Sequence, residues 1–317
     1  MLKIVGRRLV TASAASPAIL LSGSNLIEAP NNSKQLFQAM KFTVDSMQLD
    51  TYCMMADLSL EAEACGCPVV FNKERVPSIH SHIIHNKEDI AKLKVPNPYQ
   101  DGRMPVFLEC LRLMKKNLAG LKLACVTGPF TLALNLRGAE VYIDLIKDGQ
   151  SVNDLMGFTT EVCTRYSKVL VNEGADMIII AEPACSQLSS RHFNQFFLPY
   201  IQRVIRSINR NCVLHICGNV NHLIHQICQT GASGISIDEV DLQELLHEAP
   251  NNLVVIGNLS PVTFILESHG EVNHKTLELL DTVKSRSSFV IAPGCDLPPE
   301  TQLNKIVSFV EAVKRIN

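Results

Sequence analysis

Along almost the whole chain, short apolar runs of four to six residues alternate with longer stretches in which apolar positions recur every third or fourth residue. The first pattern suits strands buried on both faces, and the second suits amphipathic helices packed on one side. The runs predict strands at Ala18–Ser22, Thr51–Ala56, Lys122–Val126, Asp176–Ala181, Val213–Ile216, Gly234–Ile237, Leu253–Ile256 and Phe289–Ala292. The longer pattern predicts helices at Ser33–Met47, Met104–Asn117, Val152–Asn172, Arg191–Asn209, Val220–Gln229, Leu242–Glu248, Thr276–Lys284 and Glu300–Arg315. Alternating strands and helices build a parallel sheet, and eight units close it. The expected fold class is therefore α/β, a (β/α)8 TIM barrel. The rival open sheet ordinarily carries a glycine-rich phosphate turn after its first strand, which SGSNLIEAP is not.

Residues 1–317 are read as one domain, with no repeat, low-complexity tract or linker to divide them. One segment interrupts the rhythm. Residues 63–100, between the second strand and its helix, hold VVFNKERVP, three histidines and PNPYQDG. Strand-to-helix loops lie on the catalytic face of a barrel, so this insertion is expected to cover the site.

Composition narrows the functional classes. A 46% hydrophobic content without tryptophan suits a core of Ile, Leu, Val and Ala. The formal net charge of −2 leaves no basic excess for a phosphate backbone, so nucleic acid is excluded as a partner. No apolar stretch is long enough for a membrane span. Eleven cysteines at irregular spacings, without a secretory leader, predict reduced thiols and a cytoplasmic protein.

Polar residues just past each strand end should face the site. They include Thr127 in TGPF, Glu182 in AEPACS, His215, Cys217 and Asn219 in HICGN, Asp238 in SIDE, Asn258 in GNLSP, and Cys295 with Asp296 in PGCDLPP. Residues i and i+2 of a strand point the same way, so His215 and Cys217 converge. An isolated H-x-C is ordinarily core or chance. A third thiol, Cys295, at another strand end turns the pair into a ligand set, and three ligands with an open fourth position is the pattern of a catalytic zinc. Glu182 and Asp238 are the expected catalytic carboxylates: each follows an apolar run, and a charge there needs a metal, a donor or a proton to accept. Thr127, Asn219 and Asn258 are expected to contact the cofactor. Glu239 and Asp241 are read as caps of the next helix, Cys65 and Cys67 as packing at a helix end, and His80, His82 and His85 as a solvated loop.

EAEACGCPV, VTGPFTLA, IAEPACSQLSSRHFNQFFLPY, HICGNVNHLI, GISIDEVDL, VVIGNLSP and IAPGCDLPPETQLNKI together resemble the uroporphyrinogen decarboxylase superfamily. Within it they resemble most the zinc-dependent methylcobamide:coenzyme M methyltransferases. That resemblance implies zinc on His215, Cys217 and Cys295, and methyl transfer from a methylcobamide on a partner corrinoid protein to a small thiol such as coenzyme M. A folate amine is the alternative acceptor. The decarboxylases' arginine-rich N-terminal motif has no counterpart, since Arg7 and Arg8 precede the first predicted strand. A water-activating zinc lyase or hydrolase and a non-catalytic zinc or corrinoid binder are the rival readings. Arg75, Arg103 and Arg137 are candidate anchors for an acidic acceptor.

Overall fold

The computed structural model describes residues 8–315; Arg7 lies outside them. Seven parallel strands form a curled sheet in the order β1 (Thr51–Cys53), β4 (Leu121–Thr127), β5 (Met177–Ala181), β6 (Asn211–Asn219), β7 (Gly234–Glu239), β8 (Val254–Leu259) and β9 (Phe289–Pro293). Two further short strands, β2 (Val69–Val70) and β3 (Ser78–Ile79), make an antiparallel hairpin inside the 63–100 segment.

The eighth stave is Leu9–Thr11. Val10 bridges Ile291 in parallel, with Thr11 N–H donating to Ile291 O and Ile291 N–H to Leu9 O, both at 3.1 Å. On its other side Asp50 N–H donates to Val10 O at 3.0 Å, and the Thr11 and Thr51 hydroxyls share a 2.5 Å hydrogen bond. The sheet thereby closes as a (β/α)8-type barrel.

One predicted strand is overturned. Of Ala18–Ser22, all but Ser22 lie in the helix Ala15–Leu21, and Ser22 is its C-cap. Its run ASPAILL is rich in alanine and leucine, and its proline falls in the first turn, where helices tolerate it. The β-branched pair Val10–Thr11, only a few residues earlier, forms the stave instead.

The other predicted strands and helices are found, Met104–Asn117 and Leu242–Glu248 with the bounds expected and the rest with shifted ends. Several helices carry no forecast, the longest being Pro129–Arg137 and Glu140–Lys147. The first buries residues on every side, so it shows no one-sided stripe.

Alternation along the strands separates two cores. Leu9, Cys53, Leu123, Met177, Val213, Ile256, Val290 and Ala292 pack inside the barrel. Their neighbours Ala124, Ile178, Leu214, Val255 and Ile291 face the helices and join the larger outer core. Among the described residues no helix is long and apolar enough to cross a membrane.

Candidate metal centre

Strand β6 carries Val213, His215 and Cys217 on its inward side, above the inner apolar layer. Register does the next step: His215 lies opposite Ala181 on β5 and Ser236 on β7. Cys295 arrives on the turn that leaves β9, where Gly294 N–H donates to Leu259 O at 2.8 Å. The ligating atoms of His215, Cys217 and Cys295 all lie within 4.8 Å of one another, the one such His/Cys/acid group among the described residues.

The imidazole is oriented for this role. Its Nδ1 shares a 3.0 Å hydrogen bond with the Ser236 hydroxyl, and its Nε2 stands 3.7 Å from Cys295 Sγ. With Nδ1 held by Ser236, Nε2 faces the sulfurs. The Cys217 thiol is drawn below its ordinary value by its hydrogen bond with Cys295, which keeps its own proton more tightly for the same reason. Two soft sulfur donors and one imidazole nitrogen, all partly accessible, fit zinc with a position left for substrate.

Asp238 sits behind the ligands, bonded to one of their turns and packed closely against the other. Gly218 N–H donates to Asp238 Oδ2 at 3.1 Å. Gly218 has φ +79°, in the left-handed region that glycine enters without strain, and β6 loses its register with β7 between Ile216 and Asn219. On the other ligand turn, a Cβ on Gly294 would fall 2.4 Å from Asp238 Oδ1, so only glycine lets this turn approach. Asn258 Nδ2 donates to Asp238 O at 3.1 Å.

The remaining expected residues lie deeper or further out. Glu182 is fully buried at the start of the helix Pro129–Arg137, accepting from Phe130 N–H at 3.0 Å and from Thr131 N–H and Oγ1 at 2.8 Å each. It fills the space a Cβ on Gly128 would need. Thr127 donates through its N–H and hydroxyl to the buried Glu61, at 2.9 and 2.5 Å. Desolvation lifts Glu61 and Glu182 each to about 7. The exposed Asn219 accepts from Asn221 N–H at 3.2 Å. Asp241 caps the helix Leu242–Glu248 as its sequence position suggests, whereas Glu239, expected to cap it too, instead ends β7, its carbonyl accepting from Val220 N–H.

A cavity of about 540 Å³ opens over the three ligands. Leu58, Val76, Ile79, Ile179, Val213 and Ile256 supply much of its wall, and Thr11, Ser13, Ser59, Asn135, Ser236 and Asp296 its polar spots. Glu182, Asp238, Thr127, Asn219 and Asn258 do not line it. Residues 76–79 of the inserted segment do, and the segment is tied down where Cys67 Sγ and the His82 ring meet Asn135 O. The candidate arginines stand elsewhere. Arg103 is buried against Asp57, Glu63 and Ser59, Arg137 pairs with Asp144 and with carbonyl groups of the insertion, and Arg75 is exposed and off the wall.

Sequence reasoning missed Ser236 as the partner of His215. Its signal was available: Ser236 precedes Asp238 by two in SIDE, and so shares its inward face. The polar residues at Thr11 and Ser13 were hidden by the misplaced first strand.

Residues 7–316 match the profile of the family described as Uroporphyrinogen decarboxylase (URO-D). The chain is 29% identical over 269 residues to the Methylcobamide:CoM methyltransferase MtbA of Methanosarcina acetivorans, covering 81% of this chain and 77% of that protein. It is 24% identical over 287 residues to the Uroporphyrinogen decarboxylase of Geobacter sulfurreducens, covering 86% and 82%. Among solved structures, a methyltransferase from Methanosarcina mazei superposes with a TM-score of 0.91 at 26% identity, over 99% of this chain and 95% of that one.

Proposed function

Starting from a chain that belongs to the uroporphyrinogen decarboxylase family, we propose that it is a zinc-dependent methyltransferase, moving a methyl group from a methylated corrinoid on a partner protein to a small thiol. The observation that carries this reading is the convergence of His215, Cys217 and Cys295 at one cavity, in a chain similar to a protein named for methylcobamide:CoM methyl transfer.

His215, Cys217 and Cys295 would hold the ion. When bound, zinc lowers the proton affinity of a thiol at the open position, which makes the thiol a nucleophile at neutral pH. The thiol sulfur then bonds to the methyl carbon as the carbon–cobalt bond breaks. The corrinoid, as methyl donor, would keep the bonding pair and leave two electrons reduced, and the thiol proton would be released.

The chain's own residues prepare that step. Ser236 fixes the imidazole, and Asp238, itself held by Asn258, anchors the Gly218 turn and packs against Gly294 of the other ligand turn. Glu182 and Thr127 secure the helix start and strand end behind the wall, as positioning residues. The apolar wall excludes water around the sulfur nucleophile. The pair of cysteines favours this reading over decarboxylation, which has no use for two sulfur ligands.

Metal analysis together with methylcobalamin spectroscopy tests the proposal. About one zinc per chain is expected, with thiol-dependent loss of methylcobalamin. Cys217→Ala should lose zinc and turnover together; a variant retaining both overturns the ligand assignment.

A further inference from the structure

The cavity over the ligands also bears on which thiol is used, an inference that rests on the methyl-transfer reading above. We propose that the acceptor is an uncharged, largely apolar thiol, and that the pocket selects against thiols carrying a sulfonate or carboxylate.

Among the described residues, no lysine or arginine lines the cavity. Of the arginines nearest to a role, Arg103 directs Nε to Glu63, Nη1 to Asp57 and Nη2 to the Ser59 hydroxyl, so its charge is answered behind the wall. Arg137 is likewise answered by Asp144, outside the cavity. The acidic group on the wall is Asp296, next to the ligand Cys295. An anion entering here would meet the Asp296 carboxyl group beside a zinc whose charge the two cysteine thiolates already balance, with no lysine or arginine on the wall to offset it.

Neutral donors do not replace the missing cation. Ser13 donates to Asp296, Ser59 to Asp57, and the Asn135 amide to Leu58 O. The Thr11 hydroxyl is paired with that of Thr51, and the Ser236 hydroxyl with His215. Each of these polar groups therefore already has one partner within the protein. Ser78 sits exposed on the rim.

What remains to meet an acceptor is the side chains of Leu58, Val76, Ile79, Ile179, Val213 and Ile256. A sulfonate brought against such a surface gives up its hydration and gains no partner, whereas an alkyl chain gains by leaving water. A volume of about 540 Å³ leaves room for an alkyl tail beside the reacting sulfur.

The test uses the zinc-loaded protein with methylcobalamin and three thiols: 1-propanethiol, 2-mercaptoethanesulfonate and 3-mercaptopropionate. Calorimetric binding of each thiol, without methylcobalamin, supplies a readout independent of turnover. Propanethiol should exceed both anionic thiols by roughly 10- to 100-fold in kcat/KM and in affinity, the range over which an apolar pocket discriminates. Val76→Arg places a cation on the exposed rim of the wall and should narrow that gap. An equal or better response to the sulfonate overturns the proposal while leaving methyl transfer intact. An unchanged gap in Val76→Arg overturns the charge argument. Should no thiol consume methylcobalamin, the methyl-transfer reading falls, and the binding series alone upholds or overturns the pocket's preference.

Discussion

Replacing Ser236 by alanine removes one oxygen atom, and its consequence follows from the geometry around His215. The hydroxyl lies 3.0 Å from Nδ1, on the neighbouring strand and in register with the histidine. No other hydrogen bond is seen at this ring atom among the described residues, so alanine leaves Nδ1 without a partner and the ring free to rotate about its bond to Cβ. A neutral hydrogen bond contributes about 1 kcal/mol net, and an unpaired group adds a desolvation cost of similar size. Loss of the group that orients a metal-binding histidine weakens metal affinity roughly 10- to 100-fold. That corresponds to about 1.4–2.7 kcal/mol, in line with the hydrogen-bond estimate. The assay is a competitive zinc titration against a chelator of known affinity, with circular dichroism to verify the fold. Ser236→Thr keeps the hydroxyl and should recover most of the affinity. A Ser236→Ala protein that is folded and binds zinc as tightly as the native chain would refute the idea that this contact orients His215.

Two more perturbations probe the same frame. Gly294→Ala puts a Cβ 2.4 Å from Asp238 Oδ1 and 2.9 Å from its Cα, so backbone as well as side chain must shift. A cost of about 1–3 kcal/mol in unfolding free energy is expected, with weaker zinc binding, because the Cys295 turn is the part that moves. Denaturant melts and metal stoichiometry check it; a variant with native stability and full zinc would show that the approach is not close. Stability should also depend on pH through Glu61 and Glu182, whose folded values of about 7 exceed the ordinary 4.5. The folded state then binds protons more tightly than the unfolded one, so the contribution is complete below about 4.5 and is lost as pH rises through about 7. The loss is at most about 3 kcal/mol apiece over that interval. Urea melts between pH 5 and 7.5 should show falling stability, flattened in Glu182→Gln; stability that rises over this range contradicts the direction.

Several features were legible from local pattern because their cause is local. His215 and Cys217 share a face because strand side chains alternate with a period of two, and that holds wherever β6 is placed. The runs at 122–126, 176–181 and 213–216 are bounded by turn residues and were readable as strands for the same reason. Asp241 as a helix cap needed only its position before LQELLHE.

Other features had no local cause. Whether Leu9–Thr11 or Ala18–Ser22 served as the first stave was decided by closure, since Val10 pairs with Ile291 from the far end of the chain. Glu182 reads as a strand-end carboxylate in the sequence. Its role depends on the helix start at Phe130 and Thr131, which folding places against it. The barrel's register alone sets Ser236 beside His215 and brings Cys295 to a histidine 80 positions earlier. The sequence by itself determined which side chains could face inward, because alternation is a property of each strand alone. Which of them meet, and which charges stay away from the cavity, was decided by tertiary structure, because contacts between distant segments depend on how the whole sheet closes.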